Sequence, residues 1–108
     1  MTSHWRSWLP FRRWHVAAIV TSADEVPAAL PRNGAVLVFD AGLEKWVVFD
    51  CPCGRGHRIM LNTDRRRRPA WKVDLRSLDR LTIAPSIDAH TNGRRCHYFV
   101  RRGRVIWT

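Results

Sequence analysis

The sequence predicts a mainly β fold: a single compact antiparallel domain of about seven strands with one short helix and a bound zinc, a small α+β fold being the alternative. Three observations lead there. Apolar residues come in short runs separated by Gly, Pro and Asp, as in strands joined by turns. The helical signal is confined to one stretch after Ser22. Two cysteines one residue apart, Cys51 and Cys53, sit among further Cys and His, which suits a small metal-stabilised core. At 108 residues the length fits one domain over 1–108. Such a domain buries roughly 60–70% of its unfolded surface, so its stability is modest.

The first fourteen residues are Trp- and Arg-rich, with Trp5, Trp8 and Trp14 among Arg6, Arg12 and Arg13. They read as an edge strand or as an amphipathic segment for a partner or membrane surface. His15 to Val20 reads as a short strand. Ser22, followed by Asp24 and Glu25, reads as a helix start, running to about Leu30 with Pro27 near the first turn and Pro31 as the stop. Ala35 to Phe39 and Trp46 to Phe49 are apolar runs joined by Asp40-Ala41-Gly42, a predicted hairpin. Arg58 to Leu61 is another strand. Trp71 to Leu75 and Arg80 to Ala84 alternate polar with apolar. Cys96 to Val100 and Arg104 to Trp107 form a last hairpin through Arg101-Arg102-Gly103.

Nineteen Lys and Arg face nine Asp and Glu, a formal net charge of +10. That field attracts nucleic acid, acidic lipid or an acidic protein, unless it only mirrors an arginine-rich coding composition. Arg65 to Arg68 with Arg101 and Arg102 are the candidate partner-binding residues. Arg94, Arg95 and Arg104 belong to the same prospective basic face, and Tyr98, Trp71 and Trp107 are placed to stack bases or pack on a partner. The plainer reading makes the tryptophans core residues and the arginine run a solvated loop. The start has no long apolar stretch, and the His15 to Val20 run is too short to span a bilayer. The expected location is the cytoplasm, where Cys-x-Cys more often signals metal than disulfide.

Cys51-Pro52-Cys53-Gly54 follows a strand. Extended residues two apart point the same way, so both sulfurs can face one ion, and His57 is near enough to join them. Zinc takes four Cys or His ligands in a tetrahedron. The fourth comes from Cys96 or from its neighbour His97, which point to opposite faces of a strand. Free cysteine is otherwise often a small buried apolar residue, and a lone histidine is usually structural.

Six short blocks add a resemblance: Cys51-Pro52-Cys53-Gly54, Leu61-Asn62, Arg68-Pro69-Ala70-Trp71, Ile83-Ala84-Pro85-Ser86-Ile87, His97-Tyr98-Phe99 and Gly103-Arg104-Val105-Ile106-Trp107. In this order they resemble a family of short bacterial proteins carrying a domain of unknown function. Some of its members are encoded beside ubiquitin-like modifiers and their E1- and E2-like conjugating enzymes. The likeness covers roughly 34–107. Two family cysteines fall here on Arg55 and Arg94. His57 and Cys96 each lie two residues beyond a loss, so the implied shell is rebuilt as Cys51, Cys53, His57 and Cys96.

The resemblance implies a zinc-dependent peptidase that acts on a ubiquitin-like modifier or its conjugates. In that scheme His97 and Ser86 serve proton transfer and substrate positioning. The residues themselves give it little support: no Glu adjoins a His as in His-Glu-x-x-His, and the nearest acids in sequence are Asp50 and Asp64. Three thiolates also make zinc a poor Lewis acid. The alternative is a non-catalytic module with a closed structural zinc, its basic face meeting an acidic protein or nucleic acid. A fully liganded metal favours the module, and a groove ending at His97 and Ser86 favours the enzyme.

Overall fold

The structure, a computed structural model, describes residues 13–91 and 93–108. Among the described residues eight strands, rather than about seven, form two four-stranded sheets. The first holds β1 (His15–Val20), β2 (Gly34–Asp40), β3 (Leu43–Asp50) and β4 (Arg58–Asn62) in that order. The second holds β5 (Lys72–Val73), β6 (Ile83–Thr91), β7 (Arg94–Arg101) and β8 (Arg104–Trp107). All pairings are antiparallel except β1 with β2, which is parallel.

The inner faces of the two sheets share one core. Leu37, Val47, Phe49, Ile59 and Leu61 from the first meet Ile83, Ile87, Tyr98 and Val100 from the second. The apolar run of β2 is buried on both faces, because Val36 and Val38, pointing away from that core, are also covered. The β1–β2 crossover lies on that outer side, where the Arg58 guanidinium donates to the carbonyls of Pro27 and Ala28 at 3.0 and 2.7 Å. A parallel pair requires such a crossover.

The helix expected from Ser22 to about Leu30 is a single 3₁₀ turn, Ala23–Glu25. Its start is as anticipated: Ser22 Oγ accepts from Asp24 N, and Glu25 Oε1 accepts from the backbone N–H groups of Thr21 and Ser22. It stops because Val26 precedes Pro27, which drives the residue before it out of helical space; Val26 sits at φ −71, ψ 121.

Two hairpins close through two-residue turns with positive φ at both positions, Ala41-Gly42 (53 and 79) and Arg102-Gly103 (49 and 80). That pattern matches the right-handed twist of paired strands. Gly103 is further constrained, since a Cβ there would come within 2.7 Å of Arg13 Cβ. The chain entering β1 therefore passes against the β7–β8 turn. Trp14 N donates to Gly103 O and Trp14 O accepts from Leu81 N, while its ring meets Phe49 edge-on at 5.8 Å. Trp5, Trp8, Arg6 and Arg12, assigned above to an edge or docking segment, lie outside the described residues. No helix among the described residues is long and apolar enough to cross a membrane.

Candidate active site and metal centre

β3 and β4 pair as far as Asp50 and Arg58, leaving residues 51–57 as a loop. Cys51 closes it: its N–H donates to His57 O at 2.8 Å, and its carbonyl accepts from Gly54 N at 3.2 Å. Gly54 and Gly56 take φ of 76 and 83, a region open to glycine at little cost. The fold-back aims Cys51, Cys53 and His57 at one point. Cys96 reaches the same point from the inner face of β7, which carries Cys96, Tyr98 and Val100 in alternation.

The ligand atoms of Cys51, Cys53, His57 and Cys96 all lie within 4.8 Å of one another, so these four form a possible metal-binding site. Cys53 Sγ and His57 Nδ1 are 3.6 Å apart. Bonds of about 2.3 Å to sulfur and about 2.05 Å to nitrogen span a tetrahedral edge of about 3.6 Å. The sulfurs and the groups beside them influence one another's ionisation. Burial, reinforced by the sulfurs of Cys51 and Cys53, pushes Cys96 up to about 11. Burial works against ionisation of Cys53 too, but the Arg55 N–H and the neighbouring thiols outweigh it and hold that group below its ordinary value. Tyr98, buried beside them with its hydroxyl 3.7 Å from Cys51 Sγ, is raised, first by burial and then by that sulfur. A bound cation would displace the thiol protons, as metal binding to cysteine does. His97 lies on the other face of β7 and is no part of this cluster.

On that outer face stands a second constellation. Ser86 Oγ is 3.1 Å from His97 Nε2, and Thr108 Oγ1 is 2.7 Å from His97 Nδ1. The bulge in β6 creates the first contact. Ile83 pairs with Val100 and Ile87 with Tyr98, so four residue steps on β6 match two on β7. The slack lifts Ser86 out of the ladder and tolerates Pro85, which a regular central strand does not. Trp71 Nε1 donates to Ser86 O at 3.2 Å and pins the bulge. Assigning the Nδ1 proton toward Thr108 leaves Nε2 as the acceptor for the Ser86 hydroxyl.

Among the described residues the ring nitrogens of His97 meet hydroxyls and no carboxylate, although Asp88 is near enough to feel the charge of His97. Asp50 pairs with Arg58, and Asp64 with Arg66 and Lys45. Asp88, opposite His97 in the ladder, is taken by Arg95 at 2.9 Å and by His90 Nε2 at 3.2 Å. Thr108 and Trp71 fill supporting roles that sequence reading missed. Thr108 carries no motif, and the Trp71 indole is identified only by the Ser86 carbonyl it reaches.

The arginines separate. Arg101 and Arg102 line an open groove of about 990 Å³ at the β7–β8 turn, to which Arg65, Arg66, Arg67 and Arg68 contribute nothing. Tyr98 is fully buried, so it offers no stacking surface. Trp71 packs against the core, and Trp107 is half exposed.

A family described as Bacterial ubiquitination-like system serine protease (BubE) matches residues 22–108. The chain belongs to that family. No curated protein and no solved structure matches the chain. The ubiquitin-like context inferred from the sequence agrees with this family. The zinc-dependent peptidase does not: the family is of serine type. The geometry supplies the physical reason. The four candidate ligands would close a metal position, whereas a catalytic zinc keeps one for water, and Ser86 with His97 stands on the opposite face of the sheet.

Proposed function

From membership of this serine-protease family, we propose that the protein hydrolyses a peptide or isopeptide bond of a ubiquitin-like modifier or its conjugates, with Ser86 as nucleophile and His97 as general base. The observation that carries this reading is the 3.1 Å contact between Ser86 Oγ and His97 Nε2, within the reach that proton transfer needs. His97 Nε2 takes the hydroxyl proton as Ser86 Oγ bonds to the carbonyl carbon. The same nitrogen then delivers that proton to the leaving amine as the C–N bond breaks, leaving an acyl-serine. Water, deprotonated by His97, releases the acid and restores Ser86. Thr108 replaces the customary carboxylate as the group that orients Nδ1, a neutral partner that stabilises an imidazolium less than an anion does.

Cys51, Cys53, His57 and Cys96 would hold a zinc ion, the metal that suits three thiolates and an imidazole. Its contribution is structural: tying the β3–β4 loop to β7 at the residue beside His97. A reducing cytoplasm suits three cysteines that are free of disulfides. The enzyme and the closed-metal module, set apart as alternatives by sequence, are thus combined in one chain.

The test is labelling of the intact protein with a fluorophosphonate probe, followed by peptide mapping. A single adduct on Ser86, lost in Ser86→Ala and strongly reduced in His97→Ala, is the expected result. A wild-type protein that stays unlabelled, or labels elsewhere, overturns the assignment.

A further inference from the structure

The outer face of β7 carries His97, Phe99 and Arg101 in succession. Phe99 lies beside His97, with ring centroids 6.5 Å apart, and the Arg101 guanidinium sits 4.5 Å above the Phe99 ring. This line leads from Ser86 and His97 to the open groove of about 990 Å³. Arg13, Arg76, Arg80, Arg101, Arg102 and Arg104 line that groove, and Asp74 is the one acid among its described lining residues. Asp74 is already engaged, its carboxylate held by Arg76 at 2.8 and 3.0 Å. Among the described residues the other five arginines make no ion pair with an acid of the chain. Packing five uncompensated guanidinium groups around one concavity is unfavourable unless an anion shares it.

We infer that this groove is the docking site for an acidic segment of the protein substrate, seated about four residues from the scissile bond. The inference rests on the proposed peptidase reading. The spacing follows from the strand: four residues from His97 to Arg101, at about 3.3 Å each, span roughly 13 Å, which four extended residues of a substrate also cover. Nucleic acid fits the groove less well. Single strands are held by aromatic rings that stack bases, and among the described residues no aromatic side chain lines this groove. The Phe99 ring, beside Arg101 on this face of β7, is capped by the Arg101 guanidinium. Guanidinium forks match carboxylates bidentately, so glutamate- and aspartate-rich sequence is the complementary ligand.

The experiment uses fluorescence anisotropy with the full chain at about 0.1 M salt, where exposed charges further apart than about 10 Å are largely screened. The probes are a fluorescein-labelled glutamate decapeptide and an oligothymidylate of equal length. Arg80→Glu combined with Arg104→Glu should weaken decapeptide binding about tenfold or more. Arg65→Glu with Arg67→Glu, an equal charge change outside the groove, should weaken it about twofold at most. Should the first pair fail to fold by circular dichroism, Arg80→Gln with Arg104→Gln replaces it, with a loss of at least about threefold expected. Equal weakening by the groove and control pairs overturns the inference, because the binding is then a diffuse field effect. Tighter binding of oligothymidylate than of the decapeptide overturns it as well. Failure of the catalytic reading is separable: binding is measured in Ser86→Ala too, and groove-dependent binding without fluorophosphonate labelling would sink the serine assignment alone.

Discussion

Thr108 Oγ1 lies 2.7 Å from His97 Nδ1, and the same hydroxyl is 3.4 Å from His97 O. Ser86, His97 and Thr108 thus form a chain in which each hydroxyl has an acceptor and the imidazole is held at both nitrogens. The Thr108 N–H, which donates to His97 O at 3.1 Å, fixes the residue in place. Removing the hydroxyl in Thr108→Val should reduce kcat roughly tenfold with KM little changed, the cost of one neutral hydrogen bond. Thr108→Ser should retain most of the rate. Steady-state kinetics on a cleavable modifier fusion distinguish this from Ser86→Ala, where a loss of three orders of magnitude or more is expected. Equal rates in wild type and Thr108→Val would remove Thr108 from the machinery.

The metal site gives a prediction independent of turnover. Elemental analysis should find one zinc per chain, lost in Cys53→Ala and Cys96→Ala but kept in His97→Ala. An ion held by these four residues would cross-link a loop to a core strand, so stripping it with a chelator should lower Tm by more than about 10 °C, if binding contributes even a few kcal/mol to a domain of this size. Zinc loss in His97→Ala would contradict the placement of His97 on the outer face.

Asn62 holds the arginine loop. Its Nδ2 donates to the carbonyls of Asp64, Arg67 and Pro69 at 3.0–3.2 Å, and its Oδ1 accepts from Asp64 N at 3.0 Å. Asn62→Ala removes all of these and should cost about 2–3 kcal/mol, at the usual net value of such bonds. Chemical denaturation checks the figure, and a cost below about 0.5 kcal/mol would mean that the loop holds itself.

Acid stability follows from Asp64. Arg66, through its side chain and its N–H, and then Lys45, hold that carboxyl well below the usual carboxylate range. A depressed folded-state pKa gives stability that is complete above the unfolded value, about 3.9, and is lost as pH falls through the folded one. Thermal melts should therefore be flat from pH 5 to 7 in this contribution and decline below about pH 4. Asp64→Asn should be less stable at neutral pH and less sensitive to acid. A parallel decline in both proteins would assign the acid lability to other groups.

The strands were legible because each is a compact apolar or alternating run. Arg104 to Trp107 coincides with β8, and the Ala41-Gly42 turn falls where the sequence puts it. The four-residue cluster was legible too, since Cys51, Cys53 and His57 are local and Cys96 is the one other cysteine. Long-range geometry was not. The parallel partner of β1 depends on the length of a crossover, and β6 runs through Pro85 to Thr91, beyond the end read at Ala84, because a bulge accommodates the proline. Ser86 and His97 were each singled out, but their contact depends on that bulge and carries no sequence signature. The cysteines carry a motif and Ser86 does not, so the sequence points to a metal beside Ser86 and His97 rather than to a serine mechanism.

Within β7, odd and even positions belong to different tasks. Cys96 faces inward to the cluster, and His97 outward to Ser86. Position 94, occupied by arginine where the resemblance has a cysteine, shares the parity of position 96. A ligand lost at 94 can be regained at 96 without disturbing the face on which His97 stands, because side chains two apart on a strand point the same way. A move of one residue would exchange the two faces and put a histidine among the sulfurs. A ligand moved along this strand would therefore have to move by an even number of residues to leave the opposite face as it is.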